Sequence, residues 1–305
     1  MRGWWQDLTD LVLPAECGGC GRPRTVLCPE CRTALSGAVP RRVRPVPEPP
    51  GLPTVHAAAR YADEVRAVLL AHKERGALAL TAPLGMALAG AVRAGLTSDQ
   101  ASDSRPVLLV PVPSARGAVR ARGHDPARRI ALAAAGELRR GGVPARVVAV
   151  LRQRRAVADQ AGLNSRQRLD NLAGALAVAS AGAGLLTAGP VVLVDDLMTT
   201  GASLTEAARA VRAATAAVAA CGRTDVTAGY SGAEGPETYT RRATAVYAAA
   251  PRERTEERRT GSMDEAVDRR HGVPGMAGPR RAGDKVCAAV VAASPDSFEI
   301  NRNWL

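Results

Sequence analysis

The sequence predicts an α/β protein with a doubly wound, mainly parallel sheet and a small cysteine-bearing module at its N-terminus. From Val55 onward, short aliphatic runs alternate with helical patterns, and this alternation requires crossover connections between parallel strands. Aromatic residues make up only 3% of the chain. Ala, Val and Leu must therefore build the core, which suits helices and buried parallel strands better than an aromatic-rich β-sandwich.

The composition is that of a globular chain with a basic surface. Its 305 residues include 41 Lys and Arg against 29 Asp and Glu, a formal net charge of +12. Thirteen arginines but only three acidic residues fall within 115–169, so we expect a polyanionic partner there. No apolar run approaches roughly 18 residues and no signal-peptide pattern is visible, so we expect a cytoplasmic protein without a membrane span.

The cysteine spacing predicts a structural zinc site. Two CxxC pairs lie within fifteen residues, and their members are Cys17, Cys20, Cys28 and Cys31. Each pair presents two thiolates on a tight turn, and the loop between them folds one pair over the other, as tetrahedral Zn²⁺ requires. Disulfides are the alternative, but a chain without an export signal is expected in a reducing compartment. Zinc would supply most of the folding free energy of so small a module.

Composition also divides the chain into five regions. Apolar residues at helical spacing precede the cysteines and predict a short leading helix, and six prolines within 40–53 predict a stiff linker. The predicted regions are the zinc module with its leading helix (1–36), the Pro-rich linker (37–54), the main domain (55–214), a disordered insertion (215–284) and a last strand with a tail (285–305).

Periodicity predicts the elements of the main domain in order. Strands are expected over His56–Tyr61, Val107–Pro111, Arg146–Leu151 and Val191–Val194. Helices are expected after the first strand, over 77–94, from Asp125, and over Ser203–Ala214. Asp125 followed by Pro126 is a typical N-cap and first turn. Two segments compete for the last strand, and we prefer 286–293 to 244–250 because its uninterrupted aliphatic run suits burial.

The stretch 191–203, VVLVDDLMTTGAS, predicts a ligand site. A buried strand runs into Asp195 and Asp196, and a loop with hydroxyl groups and a glycine leads into a helix. The backbone N–H groups of this loop and the positive end of the helix form a cradle for one phosphate. The carboxylates would repel that phosphate, so we expect them to face ribose hydroxyls or a hydrated Mg²⁺. A strand end with a plain Thr/Gly turn is the structural alternative.

This stretch resembles the phosphoribosyl pyrophosphate (PRPP) loop of type I phosphoribosyltransferases. The four cysteines ahead of it narrow the resemblance to the ComF family (ComFC/GntX-like), which pairs a zinc module with a phosphoribosyltransferase domain. Further segments that resemble the family pattern are 61–76, 110–113, 120–123 and 160–171. The resemblance covers about 1–214 and resumes at 286–293.

The resemblance implies a role for each matching residue. Asp195 and Asp196 would bind ribose and organise Mg²⁺ at the catalytic centre. The loop that would hold the 5′-phosphate consists of Thr199, Thr200, Gly201, Ala202 and Ser203. Lys73 lies where the family places its pyrophosphate-binding loop, although a charged residue at a helix end accounts for it equally well. Arg120 and Arg122 lie in what resembles the mobile loop that closes over pyrophosphate, with a solvated basic loop as the alternative.

Two functions remain open at this point. The first is Mg²⁺-dependent PRPP binding, with transfer of ribose 5-phosphate to a nitrogen of an unknown acceptor, in a protein linked by its resemblance to DNA uptake in competence. The second is a non-catalytic factor whose zinc knuckle and basic surface bind single-stranded DNA and which works with a competence helicase. Scarce aromatic residues disfavour base stacking, so phosphate contacts would dominate such binding. The sequence does not indicate whether the protein is a monomer or an oligomer.

Overall fold

The computed structural model of the chain describes residues 16–96, 104–155, 157, 164–224 and 286–298. Its strands are β1 (Arg41–Val43), β2 (Val55–Arg60), β3 (Val107–Pro111), β4 (Ala145–Val147), β5 (Leu151–Gln153), β6 (Leu176–Val178), β7 (Val191–Met198) and β8 (Val286–Ala293). Six of them form one sheet in the order β1-β2-β8-β7-β3-β4, while β5 and β6 form a separate antiparallel pair. Within the large sheet only the pairing of β1 with β2 is antiparallel.

Helices cover both faces of this sheet, which confirms the α/β prediction. They are α1 (Pro29–Ser36), α2 (Asp63–Glu74), α3 (Thr81–Gly95), α4 (Arg116–Arg122), α5 (Pro126–Arg140), α6 (Ser165–Leu172) and α7 (Ala202–Thr224). Buried residues of α1, α2, α3 and α5 form one core with one face of the sheet. Buried residues of α7, β5 and β6 form a second core with the other face.

The strand β7 shows how the sequence builds two cores from one sheet. Successive side chains of a strand point to opposite faces. Val192 and Val194 accordingly lie in the first core, whereas Val191 and Leu193 lie in the second. A strand buried on both sides needs a continuous aliphatic run, which is what the sequence supplies here.

The connections after β3 and β7 leave the sheet toward opposite faces. The helix α5, which follows β3, packs in the first core, and α7, which follows β7, packs in the second. Since these strands are neighbours in the sheet, a crevice opens between their carboxyl ends. Ligands of open parallel sheets bind at such a crossover point.

The predicted last strand and the predicted helix after β3 are both confirmed. The strand β8 is formed by Val286–Ala293 and lies between β2 and β7. The helix α5 begins at Pro126, and the side chain of Asp125 accepts a hydrogen bond from the backbone N–H of Arg128 at 3.3 Å. The competing strand candidate at 244–250 and the leading helix ahead of the cysteines lie outside the described residues.

The Pro-rich stretch is part of the sheet, contrary to the prediction of a linker over 37–54. Its residues Arg41–Val43 form the edge strand β1, and Val43 is 2% exposed. Proline cannot donate to a strand ladder, but these three residues lie between Pro40 and Pro45 and retain their N–H groups. The proline content therefore suggested a linker, although the stretch contains a short edge strand.

The predicted strand Arg146–Leu151 is also wrong in its extent, because it is divided in two. The chain pairs with β3 over β4, and a tight turn follows in which the N–H of Val150 donates to the carbonyl of Val148 at 3.0 Å. The chain then leaves the large sheet and begins β5. The turn consists of Val148, Ala149 and Val150. It contains no glycine, proline or other typical turn residue, so the sequence does not indicate it.

Two elements at the proposed ligand site are longer than predicted. The strand β7 continues through Asp195 and Asp196 to Met198. The helix α7 continues to Thr224, so residues 215–224 are helical where the sequence predicted a disordered insertion. Their alanine-rich sequence explains this, since alanine is the best helix former. The remainder of that predicted insertion lies outside the described residues.

Among the described residues, one segment, Leu78–Gly95, is long and apolar enough to cross a membrane by length and composition, with a mean hydropathy of 1.3. Half of it is buried inside the protein. Its buried residues Leu84, Leu88 and Val92 lie in the first core. Packing in this core accounts for the apolar composition of the segment.

Candidate functional site

A cavity of about 630 Å³ opens at the carboxyl ends of β3 and β7. Part of its lining consists of charged and hydroxyl-bearing side chains and is called the charged end here, namely Lys73, Ser114, Arg122, Asp195, Asp196, Thr199 and Ser203. Another part consists of uncharged side chains and is called the uncharged end, namely Gln153, Val157, Leu172 and Leu176. The cavity thus brings together six of the residues predicted from the sequence.

The two carboxylates lie where β7 extends beyond its neighbour. The strand β3 pairs with β7 only as far as Val194, whereas β8 pairs with it as far as Met198. Asp195 and Asp196 therefore belong to a segment of β7 that is open on the β3 side. This opening places both residues in the wall of the cavity.

Asp196 is paired with a lysine from a distant part of the chain. The Nζ of Lys73, near the end of α2, lies 2.8 Å from Oδ2 of Asp196, whose side chain is 8% exposed. Burial by itself would lower the pKa of Lys73, but attraction and hydrogen bonding to Asp196 outweigh it and raise that pKa. Lys73 is therefore a firmly charged group at the acidic pair.

Asp195 has no such partner of its own. Its Oδ1 accepts a hydrogen bond from the backbone N–H of Asp196 at 2.8 Å. Burial, followed by repulsion from the Asp196 carboxylate, raises its pKa well above the ordinary value for aspartate, and the attraction of Lys73 offsets only part of this. An arriving cation or hydroxyl donor would stabilise the ionised form. Two adjacent carboxylates are a donor set that suits Mg²⁺.

The predicted phosphate loop surrounds one corner of the cavity. Thr199 and Ser203 line it, while Thr200, Gly201 and Ala202 do not. Gly201 has a φ of +76°, and a Cβ placed there would lie 3.1 Å from Leu52. This glycine is therefore required both by the backbone and by close packing. The first backbone N–H groups of α7 have no partner within the helix and can face an anion.

The predicted arginines are separated by the structure. They lie on a short helix, α4, where the sequence suggested a mobile loop. Arg122 lines the cavity, and its guanidinium donates to Glu74 at 3.1 Å. Arg120 lines a different groove, against another face of α4. Arg122 can thus contact a ligand in the cavity alongside Lys73. Arg120 does not line this cavity and has no role in it.

Sequence reasoning missed one cation at the phosphate loop. Arg168 of α6 donates from its Nη1 to the hydroxyl of Thr199 at 3.2 Å. Its Nε is buried and has no hydrogen-bond partner within the described part of the chain. Arg168 lies in the segment 160–171 that carries part of the family resemblance, but nothing in its spacing indicated proximity to Thr199.

A second missed feature fixes the uncharged end of the cavity. The carboxylate of Glu206, on α7, accepts the backbone N–H of Leu176 at 2.9 Å and the guanidinium of Arg209 at 2.6 Å. Arg209 also donates to the carbonyl of Leu176 at 2.9 Å. Burial by itself would raise the pKa of Glu206, but Arg209 and the N–H of Leu176 lower it. This clamp holds β6 against the helix that starts at the phosphate loop.

The four N-terminal cysteines form a cluster that could hold a metal such as zinc. Their sulfur atoms all lie within 4.8 Å of one another. The sulfurs of Cys20 and Cys28 are 3.6 Å apart, too far for a disulfide and close to the ~3.8 Å that tetrahedral Zn–S bonds of about 2.3 Å require. All four thiols are free.

Backbone groups support thiolate character at Cys17, whereas burial and the neighbouring cysteines raise the pKa of Cys31. Burial by itself would raise the pKa of Cys17, but hydrogen bonds from the N–H groups of Cys20, Cys28 and Gly19 lower it to about 6. The N–H of Cys28 donates to the Cys17 sulfur at 3.3 Å. A Cβ at Gly19 would lie 2.6 Å from the sulfur of Cys31, so this glycine admits the backbone to the cluster. Such donors stabilise the ionised sulfur that a metal needs.

Comparison with known proteins adds no family assignment. No family model matches the chain, and no curated protein matches it significantly. The resemblance to the ComF family rests on the residues and motifs named above.

Proposed function

We propose that the chain binds PRPP with Mg²⁺ and is a phosphoribosyltransferase-domain protein of the ComF type. The observation that supports this most is the charged end of the cavity. There the acidic pair, two cationic side chains and the start of α7 face one space, although Lys73, Arg122 and Asp195 come from distant parts of the chain. The link to DNA uptake in competence is supported by the resemblance alone.

The proposed reaction transfers ribose 5-phosphate from pyrophosphate to a nitrogen. The bond between the anomeric carbon and the pyrophosphate oxygen breaks, a bond from that carbon to the acceptor nitrogen forms, and the nitrogen loses its proton. Pyrophosphate leaves with the electron pair of the broken bond. The charge that develops needs preorganised partners on both sides of that bond.

The residues of the cavity supply such partners. The carboxylates of Asp195 and Asp196 accept hydrogen bonds from ribose hydroxyls and stabilise positive charge on the sugar. Lys73 and Arg122 neutralise charge on the departing pyrophosphate, and Mg²⁺ held at the acidic pair would supply further positive charge. The backbone N–H groups of the loop, with Thr199 and Ser203, hold the 5′-phosphate.

We also propose that the metal of the cysteine cluster is zinc and that it is structural. Four thiolate ligands leave no open position for a substrate or water. The cluster lies in the first core beside α2 and α3, away from the residues that line the cavity.

Calorimetric titration of the purified chain with PRPP in the presence of Mg²⁺ tests this function. We expect saturable 1:1 binding that is lost when Asp195→Asn and Asp196→Asn are combined. Asp170→Asn, an exposed position on α6, is the matched control and should bind normally. Pyrophosphate release with a panel of nitrogen acceptors then tests catalysis. A wild-type chain that fails to bind PRPP would show the proposal to be wrong.

A further inference from the structure

A second groove lies against a different face of α4 from the one that lines the cavity. It has a volume of about 290 Å³ and is lined by Arg116 and Arg120 of α4 and Arg152 of β5. We call it the arginine groove. Residues four apart on a helix lie on the same face, so the helix presents two guanidinium groups to a third from the strand.

The arginine groove is continuous with the cavity. Pro113, Ser114 and Gln153 line both. Pro113 and Ser114 follow β3, and Gln153 ends β5. A molecule in the cavity that contacts these shared residues would thus also reach the arginine groove.

The guanidinium groups of this groove have no carboxylate partner among the described residues. Within the described part of the chain, Arg116 and Arg120 form no hydrogen bond or ion pair. Arg152 donates to the backbone carbonyls of Ala149 and Leu151 and, among the described residues, to no other group. By contrast, Arg122 on the same helix is paired with Glu74 at 3.1 Å.

One carboxylate lines the groove, but it is already engaged. Asp125 caps α5 by accepting the N–H of Arg128 at 3.3 Å, and it also accepts the N–H of Ser114 at 3.4 Å. Three arginines and one carboxylate therefore line the groove, which leaves an excess of two positive charges. The planar, multi-donor guanidinium suits a phosphate group, which accepts several hydrogen bonds at once.

We propose that the acceptor is a small phosphorylated molecule whose phosphate group is bound in the arginine groove by Arg116, Arg120 and Arg152. Its nitrogen-bearing part extends past Gln153 into the uncharged end of the cavity. This inference rests on the proposed function, and it gives Arg120 a different ligand from the pyrophosphate that the sequence suggested.

The groove favours a small phosphate ester over a nucleic-acid strand. Its volume of about 290 Å³ is that of a small-molecule site, and the described residues lining it include no aromatic side chain on which bases could stack. A phosphomonoester carries about two negative charges near neutral pH, which three guanidinium groups can bind from different directions.

The test compares adenosine 3′-monophosphate with adenosine by calorimetry, in the presence of saturating PRPP and Mg²⁺ so that the 5′-phosphate loop is filled. We expect the phosphorylated probe to bind the wild-type chain at least about tenfold more tightly, the effect of one charge-assisted contact. The triple variant Arg116→Gln, Arg120→Gln, Arg152→Gln should lose this difference while binding PRPP normally.

The matched control removes the same charge elsewhere. Arg32, Arg66 and Arg146 are exposed and line neither the groove nor the cavity, and their triple glutamine variant should keep the tenfold difference. Equal binding of both probes to the wild type, or an unchanged difference in the groove variant, would overturn the proposal. Groove-dependent binding of octathymidylate without binding of the monophosphate would overturn it in favour of a strand.

Failure of the proposed PRPP binding can be distinguished from failure of the arginine-groove proposal. In that case PRPP does not bind the wild type at all, and the groove is tested without it. Arginine-dependent binding of adenosine 3′-monophosphate would then still support a phosphate site in the groove, and its absence would remove the site as well.

Discussion

Asp195 and Asp196 are neighbours in the chain, yet their side chains have different surroundings. Asp196 is held by Lys73 at 2.8 Å, whereas Asp195 is half-buried beside a like charge and has a raised pKa. The sequence indicated both carboxylates but could not distinguish them. The distinction depends on a lysine 123 positions away, whose approach is determined by the packing of α2 on the sheet.

Replacing Asp195 with asparagine should stabilise the fold and weaken the ligand site. Because the folded-state pKa is raised, the ionised group lowers stability at neutral pH, and this loss disappears as the pH falls through that raised value. The variant removes the charge, and the amide oxygen can still accept the N–H of Asp196. We expect a higher Tm at neutral pH, by about 2–4 °C for each kcal/mol by which the free energy of unfolding increases. We also expect the variant to lose PRPP binding.

Thermal denaturation of both chains across a pH series measures this effect. The difference in Tm between wild type and variant should shrink as the pH is lowered. Asp170→Asn should change neither Tm nor PRPP affinity, since that side chain is exposed. A lower Tm for Asp195→Asn at neutral pH would show that the ionised carboxylate stabilises the fold.

The pair β5 and β6 depends on a helix for its position. The carboxylate of Glu206 and the guanidinium of Arg209 bind the N–H and the carbonyl of Leu176, as the backbone of a neighbouring strand would. A two-stranded ribbon is marginally stable by itself. The clamp therefore determines how firmly the uncharged end of the cavity is held over the charged end.

Replacing Glu206 with alanine should loosen this ribbon. The N–H of Leu176 and the guanidinium of Arg209 would lose their acceptor. Such a loss lowers the free energy of unfolding by about 2–3 kcal/mol when the groups are buried or charged. Amide hydrogen exchange should accelerate over 151–153 and 176–178 and much less in β7 and β8.

Glu137→Ala provides the matched control. Glu137 is also paired with an arginine three residues later on a helix, Arg140, at 2.6 Å, but that arginine is 70% exposed. Exposed pairs of this kind contribute at most about 1 kcal/mol, so exchange in the ribbon should be unchanged. Equal exchange in the wild type and in Glu206→Ala would contradict the role of the clamp.

Elements with strong periodicity were predictable, and short ones were not. The aliphatic runs of β3, β7 and β8 and the capping signal of α5 identified those elements directly. In contrast, β1, β5 and β6 span three residues each, too few for an alternating pattern to emerge. The uncharged end of the cavity is built largely from such elements, so its position follows from tertiary packing rather than from any local signal.

The cysteine module and the sheet form one folded unit in the described structure. Cys17, Cys28 and Cys31 lie in the same buried core as α2 and α3. A Cβ at Gly18 would lie 2.6 Å from Leu80, which shows how closely the knuckle approaches the main domain. The sequence predicted a module ahead of a linker, since composition does not reveal such packing.

Metal removal should therefore destabilise the main domain as well as the module. We expect about one zinc per chain by elemental analysis after native purification, and a lower Tm of the whole cooperative transition after chelation. Cys28→Ala should reproduce the loss of zinc. Cys287→Ala, a buried cysteine of β8 outside the cluster, should retain the metal. A zinc content near zero would contradict the assignment.

The position of β8 has a consequence for the order of assembly during translation. This strand lies between β2 and β7, yet the ribosome synthesises it after all the other described strands. A nascent chain that ends at α7 would therefore expose two facing strand edges, and the segment that carries Asp195 would have no partner on either side beyond Val194. The strand that carries the acidic pair gains its partner along that segment only when β8 is inserted, so we expect the candidate site to be incomplete until then.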